Sequence, residues 1–172
     1  MPEVYVSIGS NIERETNVRE ALRRLEEHFG PLVSSAVYET ESVGFSGPNF
    51  YNLVVGFETE RCLSDVSKVL SKIETLRGRH RGGLGFDDRT LDLDILLYGD
   101  LVKHEPPHDI PRADILDYAF VLCPLAEIAG SRLHPERGDT YAELWSSFSD
   151  KTQKLWRVEP QPARESIVAS NP

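Results

Sequence analysis

The chain has 172 residues, 40% of them hydrophobic and 27% charged, with a formal net charge of −9; this is the balance of one soluble globular domain with a sizeable core. The acidic excess argues against a protein built to coat nucleic acid, and no apolar run approaches the roughly 20 residues of a membrane-spanning helix. The opening MPEVYVSIGSN lacks a basic n-region followed by an apolar core, so it reads as a strand rather than a signal peptide. The only two cysteines, Cys62 and Cys123, have no metal-ligand spacing and read as reduced thiols of a cytoplasmic protein.

Val4, Val6 and Ile8 alternate with polar residues, which predicts a first strand stopping at a Gly9-Ser10-Asn11 turn. Val18, Ala21, Leu22, Leu25 and Phe29 recur at helical spacing, so a helix is expected over about 16–29, ended by Gly30-Pro31. LVSSAVYET (32–40) reads as a second strand, ESVGFSGPN as a Gly/Pro loop and YNLVVGFETE (51–60) as a third strand. Ser64 is the expected N-cap of a second helix, with Val66, Val69, Leu70 and Ile73 on its inner face. A basic, Gly-rich loop follows, and then a fourth strand over 90–98. The order is β-α-β-β-α-β, that of a ferredoxin-like α+β fold: an antiparallel sheet with helices packed on it. AFVLCPLAEIA (119–129) and YAELWSSF (141–148) read as short helices and KLW as an edge strand. Residues 1–156 are therefore expected to form one domain, and the Pro-containing stretch 157–172 a mobile tail.

Chemistry concentrates between residues 77 and 98. RGRHRGGLGFDDR (77–89) gathers Arg77, Arg79, Arg81 and Arg89 in an otherwise acidic chain. It leads into RTLDLDILLY (89–98), an apolar strand that carries Asp92 and Asp94 on one face. On strand geometry their Cα atoms lie about 7 Å apart, and Thr90, Leu96 and Tyr98 share their face while Leu91, Leu93, Ile95 and Leu97 take the other. Two carboxylates so placed call for a compensating charge, which a divalent metal or an arginine can supply; a merely wet strand face is the plain alternative.

With these pieces in place the chain resembles the 6-hydroxymethyl-7,8-dihydropterin pyrophosphokinases. The resemblance is carried by IGSN (8–11), SSAVYETESVGF (34–45), FYNLVV (50–55), IETLRGRHR (73–81), RTLDLDILLYG (89–99) and FVLCPLAEIA (120–129). It implies transfer of pyrophosphate from ATP, the co-substrate, to the pterin hydroxymethyl group, with release of AMP, a step of folate biosynthesis. It further implies two Mg2+ ions on Asp92 and Asp94, and catalytic roles for Arg79 and Arg89 beside them. On the ATP side it points to Glu74, Arg81, Arg89, Ile95, Arg112 and Tyr118, and on the pterin side to Thr40, Val43, Phe50, Asn52 and Phe120. The partners implied are small molecules, with no nucleic acid and no membrane, for a cytoplasmic monomer.

The chain departs from the family pattern at Gly85, Phe86-Asp87-Asp88, Arg112 (commonly His) and Tyr118 (commonly Arg). These departures leave room for a catalytically weak or regulatory pterin- and nucleotide-binding relative. A ferredoxin-like RNA-binding module is opposed by the net charge and by two acids on a central strand. A hydrolase built on Asp92 and Asp94 lacks an identifiable general base, and His104 and His108 in KHEPPHD suit a Pro-rich surface loop better than a metal site.

Overall fold

The structure is a computed structural model and describes residues 1–42, 44, 46–76, 91–159 and 161. Its elements in chain order are β1 (Glu3–Ser10), α1 (Arg14–Phe29), β2 (Val33–Ser34), β3 (Tyr38–Thr40), β4 (Phe50–Glu58), α2 (Leu63–Leu76), β5 (Asp92–Tyr98), α3 (Asp114–Asp117), α4 (Ala119–Ala129), α5 (Tyr141–Ser146) and β6 (Leu155–Arg157). The six strands form one sheet in the order β5-β1-β4-β3-β6, with β2 also paired to β4. Every pairing is antiparallel. This is the ferredoxin-like arrangement, with the fourth principal strand beside the first and the first beside the third, extended by β6 along β3.

Two cores sandwich the sheet. Val4, Val6 and Ile8 meet Leu53, Val55 and Phe57 across the β1–β4 ladder and bury against Val18, Leu22 and Leu25 of α1 and Val66, Leu70 and Ile73 of α2. Tyr5, Val54 and Leu96 face the opposite way, under Val121, Leu122 and Leu125 of α4 and Tyr141 and Leu144 of α5. The carboxy-terminal helices thus cover a sheet face that a minimal β-α-β-β-α-β unit leaves to solvent.

Several sequence expectations shift. The segment 32–40 is not one strand but β2 and β3, because Ser35 interrupts the ladder: its hydroxyl accepts the Val54 N–H at 3.0 Å, a bond that a backbone carbonyl would otherwise take. The first helix begins at Arg14, and Asn17 N–H donates to Glu13 O at 2.9 Å. Ser64 is not the N-cap of α2, since the helix starts at Leu63 and the Cys62 carbonyl already accepts from Asp65 N and Val66 N. Gly9 and Ser10 are not a turn; they pair with Asn52 and Tyr51 as the last rungs of β1. The helix α3 went unread, and α5 stops at Ser146 rather than 148. At the carboxy-terminal end Arg157 still pairs with Tyr38, Val158 N–H donates to Val37 O at 3.0 Å, and Gln161 Nε2 donates to Val37 O at 3.1 Å. The rest of the stretch expected to be a tail, 160 and 162–172, lies outside the described residues.

The largest correction concerns β5. Tyr5 pairs with Leu97 and Val6 with Ile95, so Leu96 is an extra residue in the ladder, a β-bulge. Beyond it the alternation of faces inverts. Leu97 joins Leu96 under α4, and Tyr98, expected beside the aspartates, packs with the α1/α2 core and donates its hydroxyl to Arg61 O at 2.7 Å. Strand periodicity cannot show this, because a one-residue insertion changes parity without changing composition.

Candidate active site

The β5 bulge leaves Asp92 and Asp94 on the α4 side of the sheet, where neither is buried. Register then aligns them with two neighbouring strands. Gly9 of β1 pairs with Asp92 on one side and Asn52 of β4 on the other, and Tyr38 of β3 lies beyond Asn52. With strands about 4.8 Å apart, the Asn52 and Asp92 Cα atoms stand about 10 Å apart across Gly9. A Cβ on Gly9 would come within 3.2 Å of Asn52 Oδ1 and 3.9 Å of Phe50 Cδ1. The backbone between amide and carboxylate is therefore bare, and a side chain there would press on the Asn52 amide oxygen. One rung along, Ser7 separates Val54 from Asp94; in the other direction Thr40 lies opposite Phe50.

Asn52 and Thr40 are both buried, and the Asn52 amide nitrogen donates to Thr40 Oγ1 at 2.7 Å. That bond fixes the amide plane and turns its carbonyl toward Gly9. A planar donor–acceptor pair held in this way can read the polar edge of a heterocycle.

The other wall comes from α4. Tyr118, the residue before the helix, stacks on Phe120 with ring centroids 5.2 Å apart. Glu127, two turns along, ties the helix to β3 and the residues before it by accepting from Ala36 N at 3.0 Å and from the Tyr38 hydroxyl at 2.8 Å. Desolvation, followed by that bond to Glu127, pushes the Tyr38 phenol well above its ordinary range. Arg112 reaches the carboxylates from the segment after β5. Its backbone N–H donates to Leu96 O at 3.0 Å, at the bulge, its Nε donates to Asp114 Oδ2 at 2.8 Å, and its Nη2 lies 3.8 Å from Asp94 Oδ1. Burial disfavours the Arg112 charge, but Asp94 and Asp114 outweigh it and raise the pKa above the usual guanidinium value.

The structure thus brings Thr40, Phe50, Asn52, Asp92, Asp94, Arg112, Tyr118 and Phe120 to one side of the sheet. Two residues fall on the other side. Ile95 packs against the α1/α2 core, and Glu74, in the last turn of α2, is buried with Oε2 accepting from Leu93 N at 3.4 Å. The residues expected around ATP are therefore divided by the edge strand β5. Tyr118, expected beside the nucleotide, stacks on Phe120, expected beside the pterin. Val43, Arg79, Arg81 and Arg89, with Gly85, Asp87 and Asp88, lie outside the described residues. Sequence reasoning missed Tyr38 and Glu127, for which there was no signal; it read Gly9 as a turn residue with a secondary share in the pterin pocket, although a glycine continuing an alternating strand also signals a close backbone approach.

His104 is bound at both ring nitrogens, by Asp109 at 2.7 Å and Glu136 at 3.0 Å. Among the described residues no group of three or more His, Cys, Asp or Glu side chains converges to hold a metal, and no helix is long and apolar enough to cross a membrane. Both cysteines are free, Cys62 exposed and Cys123 partly buried.

Known proteins resemble this chain in sequence and in fold. The family model described as 7,8-dihydro-6-hydroxymethylpterin-pyrophosphokinase matches residues 5–130. A 2-amino-4-hydroxy-6-hydroxymethyldihydropteridine pyrophosphokinase of Porphyromonas gingivalis is 36% identical over 79% of this chain and 96% of its own length. The folate synthesis bifunctional protein of Arabidopsis thaliana is 34% identical over 98% of this chain, which spans only 35% of that protein. Among solved structures, a Plasmodium falciparum HPPK-DHPS matches 86% of this chain and 44% of its own with a TM-score of 0.68 at 15% identity, a likeness of fold alone. The chain belongs to the 7,8-dihydro-6-hydroxymethylpterin-pyrophosphokinase family and, with it, to pyrophosphate transfer in folate biosynthesis.

Proposed function

We propose that ATP and 6-hydroxymethyl-7,8-dihydropterin meet over Gly9, the pterin between Phe120 and Phe50 and the triphosphate over Asp92 and Asp94. The pterin hydroxymethyl oxygen bonds to the β-phosphorus of ATP and loses its proton. The bond from that phosphorus to the oxygen bridging to the α-phosphate breaks, and AMP leaves. The row Asn52–Gly9–Asp92 carries this reading, since it sets an edge-reading amide and a carboxylate on either side of bare backbone. Asn52 and Thr40 would orient the ring, and stacking on Phe120 would hold its plane.

Asp92 and Asp94 suit Mg2+. That ion keeps several waters and is bound by one or two carboxylates plus substrate phosphates rather than by an all-protein cage, which agrees with the lack of a three-ligand cluster among the described residues. Two bound Mg2+ ions would neutralise the triphosphate and favour attack at the β-phosphorus. Arg112 is already partnered with Asp94 and Asp114, and it would turn one face of its guanidinium to a phosphate. Arg79 and Arg89 would contact the phosphates, with Arg81 on the ATP side; Val43 would line the pterin pocket. Glu74 and Ile95, behind β5, would serve the far end of ATP. The reading includes a cytoplasmic monomer that acts on small molecules, without a nucleic-acid or membrane partner.

The test is an assay of AMP release with both substrates, run with Mg2+ and with EDTA. Release that needs Mg2+ and the pterin supports the reading; binding of both substrates without AMP release supports the weak relative. Arg112→Ala should raise the KM for ATP about tenfold, the loss of about 1.4 kcal/mol in one charge-assisted contact, and leave pterin affinity unchanged.

A further inference from the structure

The amino-terminal end of α4 lacks a cap of its own. Tyr118 occupies the N-cap position in an extended conformation, φ −123° and ψ 123°, and its side chain makes no capping bond. The cap comes from far along the chain. Gln153 Oε1 accepts from Ala119 N at 2.8 Å, and Gln153 Nε2 donates to Asp117 O at 2.8 Å. One amide thus holds the peptide groups on both sides of Tyr118, as a neighbouring strand would.

The amide is itself fixed. Gln153 Nε2 also donates to Asp150 Oδ2 at 3.0 Å, and Asp150 Oδ1 accepts from Thr152 N at 3.0 Å and Thr152 Oγ1 at 2.6 Å. An uncapped helix end is free to fray within its first turn, and this first turn carries the Tyr118–Phe120 stack.

We propose that Gln153 is a positioning residue for pterin binding: by bracketing Tyr118 it holds the Tyr118–Phe120 stack at the spacing from Asn52 that the ring requires. The inference rests on the reading of Phe120 and Asn52 as the pterin site. It makes the segment between α5 and β6, beyond the residues that the family model matches, part of the substrate's wall.

The experiment uses the full chain with Gln153→Ala, Gln153→Met and Gln153→Glu. Glutamate keeps the acceptor for Ala119 N–H but loses the donors to Asp117 O and Asp150 Oδ2 and sets a carboxylate against Asp150, so it is made together with Asp150→Asn. In the Ala and Met variants the pterin KM and the pterin Kd from calorimetry should rise about tenfold. The KM for ATP and kcat at saturating substrates should stay within twofold, and the Ala119 amide should exchange faster. Gln153→Glu with Asp150→Asn, in which the new amide can donate to the new carboxylate, should recover part of the pterin affinity, and it carries the test if truncation prevents folding. Unchanged pterin affinity with a faster-exchanging Ala119 amide would overturn the proposal, as would equal losses for pterin and ATP. Phe120→Ala runs alongside: if it binds pterin normally, the site reading itself fails, whereas a loss there with none in the Gln153 variants defeats the Gln153 proposal alone.

Discussion

The two sides of the candidate site are held in different ways. The floor, from Asn52 through Gly9 to Asp92, is fixed by ladder bonds between three adjacent strands, with hydrophobic residues of β1 and β4 buried immediately beneath. The wall, Tyr118 and Phe120, is fixed by side chains that reach in from elsewhere: Glu127 to Ala36 and Tyr38, and Gln153 to Ala119 and Asp117. A ladder distributes its strain over many rungs, so loss of one floor side chain removes a function and leaves the frame. A wall held by single amides and carboxylates can shift when one of them is lost. The floor suits fixed charge, and under the proposed function the wall can adjust to the pterin ring.

The strongest way to break this contrast is at the acidic end of the floor. Asp92→Ala and Asp94→Ala should each slow transfer by about a thousandfold or more, about 4 kcal/mol in transition-state stabilisation, on the scale of losing a principal electrostatic contact. Thermal unfolding should be nearly unchanged, because neither side chain is buried. Steady-state kinetics beside a melting curve checks both halves; near-native turnover would remove the metal-binding reading.

Gly9→Ala tests the bare floor. The new Cβ would stand 3.2 Å from Asn52 Oδ1, so the amide must give way by a few tenths of an ångström. A strand accepts alanine at least as well as glycine, so stability should hold or rise slightly. The pterin KM should rise about tenfold, or about 1.4 kcal/mol, with the KM for ATP less affected. A loss of stability without a change in pterin affinity would show that Gly9 serves packing instead.

The smallest expected effect lies on the wall side and depends on pH. His134 is buried beside Tyr141 of α5, and its Nδ1 accepts from Glu136 N at 3.2 Å, a bond that only the unprotonated nitrogen can make. Burial is the largest influence and holds its pKa below the ordinary 6.5, against Glu136 and Asp139, which favour the charged ring. A depressed folded pKa means that the unfolded chain takes up the proton first as pH falls. The contribution of His134 is therefore complete above about pH 6.5 and is lost as pH drops through the folded value. The exposed His104, raised first by Asp109 and then by Glu136, works in the opposite sense, its contribution fading as pH rises through its folded pKa. The decisive quantity is thus the difference between wild type and His134→Gln. That difference in Tm should shrink by a few degrees between pH 7.5 and 5.5, and α4 and α5 amides should lose exchange protection before β1 and β4. A difference independent of pH would show that His134 titrates alike in both states.

Local pattern carried most of the floor. Alternation in VYVSI and LVVGF, helical spacing from Val18 to Phe29 and in Val66–Ile73, and two acids in an apolar strand are properties of a few consecutive residues, and they set the order of the principal strands and helices and the shared face of Asp92 and Asp94. What escaped depended on partners distant in the chain. The bulge at Leu96, which moves Leu97 and Tyr98 to opposite faces, exists only because β5 pairs with β1 in a shifted register. The break at Ser35 needs Val54 opposite it. The pairing of Arg112 with Asp94 and the stacking of Tyr118 on Phe120 need the segment after β5 folded back over the sheet. Gln153 gave no signal at all, because an amide shows its acceptor only when a helix end 34 residues earlier arrives beside it. Short-range periodicity therefore determined which face would carry the chemistry, while tertiary contact decided what stands opposite that face, since capping, stacking and register are settled by bonds between segments that the sequence keeps apart.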